Sequence, residues 1–213
     1  MCFSFESSIT SWFLAFLASV YMLANNNEYD VWLPLFILVF TQIQIIEAII
    51  WTSINSKDSI NGNATKILSF LLWMQPFLNS FIGFTQTGNT ILLGMTIFYG
   101  FMLIYHYFSS QNDTFISTVG PNGHLVWNRY NAKGEPVTHV LGSGFMTFIY
   151  MFGLFVPFLF MENIYMRNIT IFIGALTLIF SLINYQSEFS SMWCFTAVIL
   201  AIAALLFNKK IEN

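Results

Sequence analysis

Seven apolar stretches follow one another along the chain, at 5–24, 31–54, 65–84, 89–108, 140–161, 167–184 and 189–207. Each is at or near the length of about 20 residues that an apolar helix needs to cross a hydrocarbon core. Backbone polar groups find no water in lipid, so every stretch is predicted to be helical. Tight polar joints at 25–30, 85–88, 162–166 and 185–188 make neighbouring helices antiparallel. Asn25-Asn26-Asn27 and Asn61-Gly62-Asn63 read as turns.

One insert, 109–139, breaks the pattern. Two β-rich runs, Thr114 to Val119 and His124 to Trp127, flank Gly120-Pro121-Asn122-Gly123, and this predicts a hairpin. A second turn is expected at Lys133-Gly134-Glu135-Pro136. The expected fold is all-α and integral to a membrane. It is one seven-transmembrane-helix bundle over 1–213, with a small β-hairpin between the fourth and fifth helices and lying over the bundle mouth.

Composition supports that reading and narrows the chemistry. The chain is 56% hydrophobic and 8% charged, with mean hydropathy +0.67. Seven spans in 213 residues leave no room for a second domain. Net charge is −3 with no basic run, so no nucleic-acid partner is expected. The expected surroundings are a lipid bilayer. The two cysteines, Cys2 and Cys194, exclude a disulfide scaffold and a CxxC metal knuckle. The first stretch has no basic segment before it and acidic Glu28 and Asp30 after it, so it reads as a retained helix and not as a signal peptide.

An odd number of crossings puts the two termini on opposite sides. The side of Met1, called near, then owns loop 55–64, the insert and loop 185–188. Basic residues divide too evenly to orient the chain: Lys57, Lys66, Arg129 and Lys133 are near, while Arg167, Lys209 and Lys210 are far. The chemistry-bearing residues divide unevenly. Cys2, His106, His124, His139, Ser190, Ser191 and Cys194 all fall near, and the far side has neither histidine nor cysteine.

Glu47 lies about 10 Å below the near end of the second span, at 1.5 Å per residue. An ionisable group at such a depth is costly and points to function, although a helix-to-helix hydrogen bond is the plain alternative. Gln44, Glu47 and Trp51 share its helix face. Gln75 and Asn79 add amides in mid-span, where interhelical bonding is the simpler role. Ser4 reads as the N-cap of the first helix, with Glu6 in its first turn. A thiol at Cys2, near that helix start, leans toward thiolate. It would suit a nucleophile, a metal ligand, an acylation site or a disulfide with Cys194. The Cys, His and Glu residues are suitable zinc or copper ligands, but no HxxxH or HExxH spacing supports a metal site, and no cofactor is assigned. His124 beside Trp127 reads either as a lid donor over a pocket or as an ordinary hairpin residue. His106, between Tyr105 and Tyr107, reads first as part of an interfacial aromatic belt.

Four motifs occur in order: Met1-Cys2-Phe3-Ser4, Gln44-Ile45-Ile46-Glu47 with Trp51, Gly123-His124-Leu125-Val126-Trp127, and Phe189-Ser190-Ser191-Met192-Trp193-Cys194. With them the chain resembles, from end to end, an uncharacterised family of small multi-pass membrane proteins of bacteria and large DNA viruses. Members open Met-Cys-(Phe/Trp)-Ser and close on a Ser-x-Trp-Cys helix. The resemblance implies the seven-helix architecture, singles out Cys2, Ser4, Glu47, His124, Trp127 and Cys194, and brings no activity. A retinal-binding rhodopsin would need a lysine in the seventh span, and a ceramidase-like hydrolase would need HxxxH pairs in a late helix; both are absent.

The leading expectation is a polar pocket on the near side that binds, or acts on, a small-molecule or lipid-like ligand. Glu47 is its base or ligand, Cys2 and Cys194 its thiol pair and His124 its lid donor. Ser4, Gln44, Trp51, Gln75, Asn79, His106, Trp127, Ser190 and Ser191 are its candidate binding residues. The alternative is a non-enzymatic structural or assembly component of a membrane, with a virus among its sources. A transporter or channel lined by Glu47, Gln44, Gln75 and Asn79 is third, and no inverted repeat supports it.

Overall fold

A computed structural model describes residues 4–26, 29–55, 59–137, 140–141, 143–185, 188, 191 and 196–208. Cys2, His139, Ser190 and Cys194 lie outside them, and so does the expected pairing of the two thiols.

Seven α-helices are present among the described residues: α1 (Phe5–Ala24), α2 (Trp32–Ser53), α3 (Ile60–Thr87), α4 (Thr90–Ser109), α5 (Gly144–Phe155), α6 (Ile164–Tyr185) and α7 (Thr196–Phe207). A two-stranded sheet, β1 (Thr114–Val119) and β2 (Leu125–Tyr130), stands between α4 and α5. Helices α1, α2, α3, α4 and α6 are each long and apolar enough to cross a membrane. Successive helices α1 to α4 pack side by side, and α7 returns to pack on α1, α2 and α6, an arrangement compatible with a helical bundle.

Local chemistry sets the helix ends. Ser4 caps α1: its Oγ accepts the Ser7 N–H at 3.3 Å, and the Ser7 Oγ accepts the Ser4 N–H at 3.1 Å. The joint between α3 and α4 is only Gly88-Asn89. Gly88 takes φ +65°, which a residue without Cβ adopts at no steric cost, and closes α3. Asn89 then opens α4 by accepting the Ile91 N–H at 2.8 Å.

Packing divides the helices. The core sits on α2 and α3, with Trp32, Leu33, Ile37, Ile43, Leu68 and Trp73 almost wholly buried. On α1 the buried face is mostly small, Ser8, Ser11, Ala15, Ala18 and Ser19, with the long Met22 near its end. The buried positions of α7, which packs on α1, include four alanines, Ala197, Ala201, Ala203 and Ala204, and small residues let helices approach closely. Outward faces are apolar instead. Phe101 and Phe108 on α4 and Phe172 and Ile183 on α6 are about two-thirds exposed or more (65–70%).

The ends of the packed helices can be told apart. Asn208, just after α7, donates from Nδ2 to the Asp30 carbonyl at 2.8 Å and accepts the Asp30 N–H on its own carbonyl at 3.2 Å. Asp30 precedes α2, one helix length from Ser4, about 30 Å at 1.5 Å per residue. Ser4 and Asn208 therefore lie at opposite ends.

Three expectations need correction. Asn61-Gly62-Asn63 is not a turn but the first turn of α3, which runs five residues earlier than expected. Asn61 finds its bonding partner in β1 and not in a local turn, as described below. The fifth helix does not fill 140–161. Val140 and Leu141 are buried but not helical, α5 starts behind the Ser143 cap, and the chain tightens into a 3-10 turn at Val156–Phe160 around Pro157. Apolar character marks burial there, and the caps and the proline decide where the helix stops. The described part of the last helix is 12 residues, Thr196–Phe207.

Candidate functional site

The hairpin forms where the Pro-Asn-Gly signal places it. Its strands pair antiparallel from Thr114↔Tyr130 to Val119↔Leu125. Gly123 takes φ +82°, and its N–H reaches the Gly120 carbonyl at 3.1 Å. Strand alternation sorts the side chains: Phe115, Ser117, Leu125, Trp127 and Arg129 are buried on one face, while Ile116 on the other is exposed; Val119, at the strand end, is exposed despite its register with Leu125. The expected second turn is also present. Gly134 takes φ +78°, its N–H bonds the Asn131 carbonyl at 2.8 Å, and Pro136 bridges Tyr130.

Two clasps hold this hairpin at the near end. The first comes from α3. The Asn61 side chain acts as a third strand toward Ser117: its Nδ2 donates to the Ser117 carbonyl at 2.9 Å and its Oδ1 accepts the Ser117 N–H at 2.8 Å. Thr65 Oγ1 and Ser117 Oγ lie 2.7 Å apart. Gly62 makes room, because a Cβ there would stand 2.9 Å from the Phe115 carbonyl oxygen. The second clasp comes from the connection between α6 and α7. Glu188, wholly buried, accepts the Asn122 N–H on Oε1 at 3.0 Å and the His124 N–H on Oε2 at 2.9 Å. A buried ion pair completes the element. Arg129 Nε meets Asp113 Oδ2 at 2.6 Å, and the guanidinium lies 5.6 Å from the centre of the Phe115 ring.

His124 is wholly buried beside Glu188. Burial pushes its imidazole below the ordinary histidine range, and the Glu188 charge opposes that shift. Trp127, buried on the face that carries Phe115 and Leu125, has no hydrogen-bond partner for its Nε1–H among the described residues. Glu47 and Gln44 are wholly buried on α2 and Trp51 is half-buried, so the carboxylate faces the packed interior and not the outer surface. Ser191 is wholly buried, and its Oγ has no hydrogen-bond partner among the described residues.

The remaining candidates tie helices together. Asn79 accepts Trp32 Nε1–H at 2.9 Å and donates to the Leu154 carbonyl at 3.0 Å, linking α2, α3 and α5. Gln75 donates to the Phe40 carbonyl at 3.4 Å and accepts the Tyr150 hydroxyl in a short bond. His106 is buried between α3 and α4, with Nε2 2.7 Å from Ser69 Oγ; its neighbours Tyr105 and Tyr107 are the exposed ones. His106 also lines an apolar groove of about 260 Å³ with Ile67, Phe70 and Tyr107. A wider, shallow groove of about 910 Å³ runs between the start of α3 and the outer edge of β1. Neither is walled by Glu47, Gln44, His124 or Trp127. No group of three His, Cys, Asp or Glu side chains among the described residues is placed to hold a metal ion.

Sequence reasoning gave no site role to Glu188, Asn61, Ser69 or the Asp113–Arg129 pair. Only Asn61 carried a signal, and it pointed to a turn.

The chain is similar to an uncharacterised protein of Acanthamoeba polyphaga mimivirus, with 28% identity over 93% of this chain and 92% of that one. A distant relative of the chain is thus viral, and no activity comes with it. No protein-family profile matches the chain. No solved structure matches it either.

Proposed function

We infer that the chain is a multi-pass integral membrane protein with a closed polar site at its near end, under the hairpin. The exposed apolar flanks of the long helices carry this reading. Soluble monomers rarely expose apolar patches beyond a few hundred Å². Here large aromatic and aliphatic side chains stay exposed along α1, α4, α5 and α6, and a bilayer is the solvent that suits them. In that setting Glu47 is a carboxylate within a span, which is expensive to keep without a use. Its burial fits a base or ligand group toward a small or lipid-like molecule. His124 and Trp127, both buried in the hairpin, supply the lid, and Cys2 and Cys194 the thiols.

A second reading has an observation of its own. Asn79, Gln75 and His106 spend their polar groups on neighbouring helices. That favours a non-enzymatic structural or assembly component, and the viral relative suits it. A transporter or channel is supported less, because those same amides are the ones its path would need.

Replacement of Glu47 separates the first two readings. The chain is expressed in membranes, washed with alkaline carbonate, purified in detergent and searched for retained small molecules by mass spectrometry. Under the site reading Glu47→Gln stays folded but loses the retained molecule, while Glu47→Leu fails to fold. If Glu47→Gln keeps every property of the parent, Glu47 only joins helices and the structural reading takes its place. If the parent is released by carbonate, the membrane reading itself falls.

A further inference from the structure

Among the described residues of the connection between α6 and α7, Glu188 bonds the hairpin through its carboxylate. Glu188 accepts the backbone N–H groups of Asn122 and His124, and Asn122 Nδ2 lies 3.4 Å from the same Oε1. Bonds from N–H donors to an ionised carboxylate are charge-assisted and stronger than neutral ones. The turn is shaped around this group. A Cβ built on Gly120 would lie 2.4 Å from Glu188 Oε1 and 2.5 Å from its Cδ. Such separations do not occur between real atoms, so a Cβ at position 120 forces the carboxylate to move.

The other attachment of the hairpin is different in kind. Asn61 and Thr65 sit on a continuous 28-residue helix and hold Ser117 through neutral bonds. One side of the hairpin is therefore fixed to a long rigid element. The other is held, among the described residues, by the Glu188 side chain from the connection between α6 and α7. His124 is buried beside the Glu188 attachment, and Trp127 is buried three residues further along β2.

We propose that the hairpin is a hinged lid, anchored on α3 by Asn61 and Thr65 and latched shut by Glu188. Release of the carboxylate frees the Gly120–His124 turn and uncovers His124. This rests on the reading of a closed near-end site, and it gives that site its entrance.

Hydrogen exchange on the full chain in detergent tests it, with Glu188→Ala, Gly120→Ala, the double variant and Glu188→Gln. Each of the two single changes, Glu188→Ala and Gly120→Ala, should speed exchange at Asn122, His124 and β2 about tenfold or more, as expected for losing charge-assisted bonds. Exchange along α3 should not change. The double variant should exchange no faster than either single variant, because Gly120→Ala acts only by displacing the carboxylate. Glu188→Gln should fall between parent and Glu188→Ala, since a carboxamide offers one acceptor to two donors. Unchanged exchange in both single variants overturns the latch. Multiplying effects in the double variant overturn it too, as does loosening of α3 in step with the hairpin. Carbonate extraction of the same samples reports on membrane insertion separately, so failure there is distinguishable from failure of the latch.

Discussion

Removing the Asn79 side chain should cost more than any other single polar truncation among the mid-helix amides. Asn79 is wholly buried and joins three helices with one amide. Asn79→Ala deletes two hydrogen bonds, each worth about 0.6 kcal/mol within a bilayer and about 1 kcal/mol in a water-soluble core. It also leaves the Trp32 Nε1–H, on a side chain only 2% exposed, without its acceptor. An unpaired buried donor costs about 1–3 kcal/mol. The sum is about 2–4 kcal/mol. Trp32→Phe removes one bond and shortens the ring system, while leaving the Asn79–Leu154 bond in place. A double-mutant cycle between Asn79→Ala and Trp32→Phe should then return a coupling of about 0.6–1.7 kcal/mol. Reversible unfolding in mixed detergent micelles reads all four corners. A loss below about 0.5 kcal/mol for Asn79→Ala, within the range of surface substitutions, would refute the argument, as would a coupling near zero.

Two further outcomes follow from the geometry. A Cβ on Gly83 would meet the Trp32 ring at 2.4 and 2.5 Å and Leu92 at 3.0 Å, so Gly83→Ala should destabilise the chain by about 1–3 kcal/mol or more through overpacking; an unchanged unfolding midpoint contradicts the close contact of α2 and α3. His124 is held below the usual value of 6.5 by burial, so its folded form binds a proton less readily than its unfolded form. Its contribution is therefore full above that value and is lost as pH falls through it. Exchange protection of the hairpin should weaken from pH 7 to pH 5 in the parent and stay flatter in His124→Gln, and equal slopes would reject burial as the cause.

The parts of the fold that were legible in the sequence are those written in local chemistry. Gly120-Pro121-Asn122-Gly123 and Gly134 announce their turns because positive φ needs glycine, as observed at Gly123 and Gly134. Ser4 announces its cap by its position before an apolar run. Glu47 stood out because a carboxylate in an apolar stretch has few plain explanations, and it is buried. The misread parts depend on partners far along the chain. Asn61 looks like a turn residue until β1, more than fifty positions later, occupies its amide. Glu188 in a polar joint has the look of a solvated charge, and only the folded hairpin turn gives it two backbone donors. Val140 and Leu141 extended the apparent fifth span because hydropathy reports burial and is blind to whether the buried chain is helical.

The most direct measurement is the sidedness of the two ends. Ser4 and Asn208 lie at opposite ends of the packed helices, and the long helices between them carry apolar outer flanks. Reporter tags that are active in only one compartment, fused in turn to each end of the full chain, should report opposite sides of the membrane. Both tags active in the same compartment would contradict the proposed odd number of crossings and, with it, the proposed grouping of Glu47, His124 and the hairpin at one face. A chain found free of the membrane would contradict the account entirely.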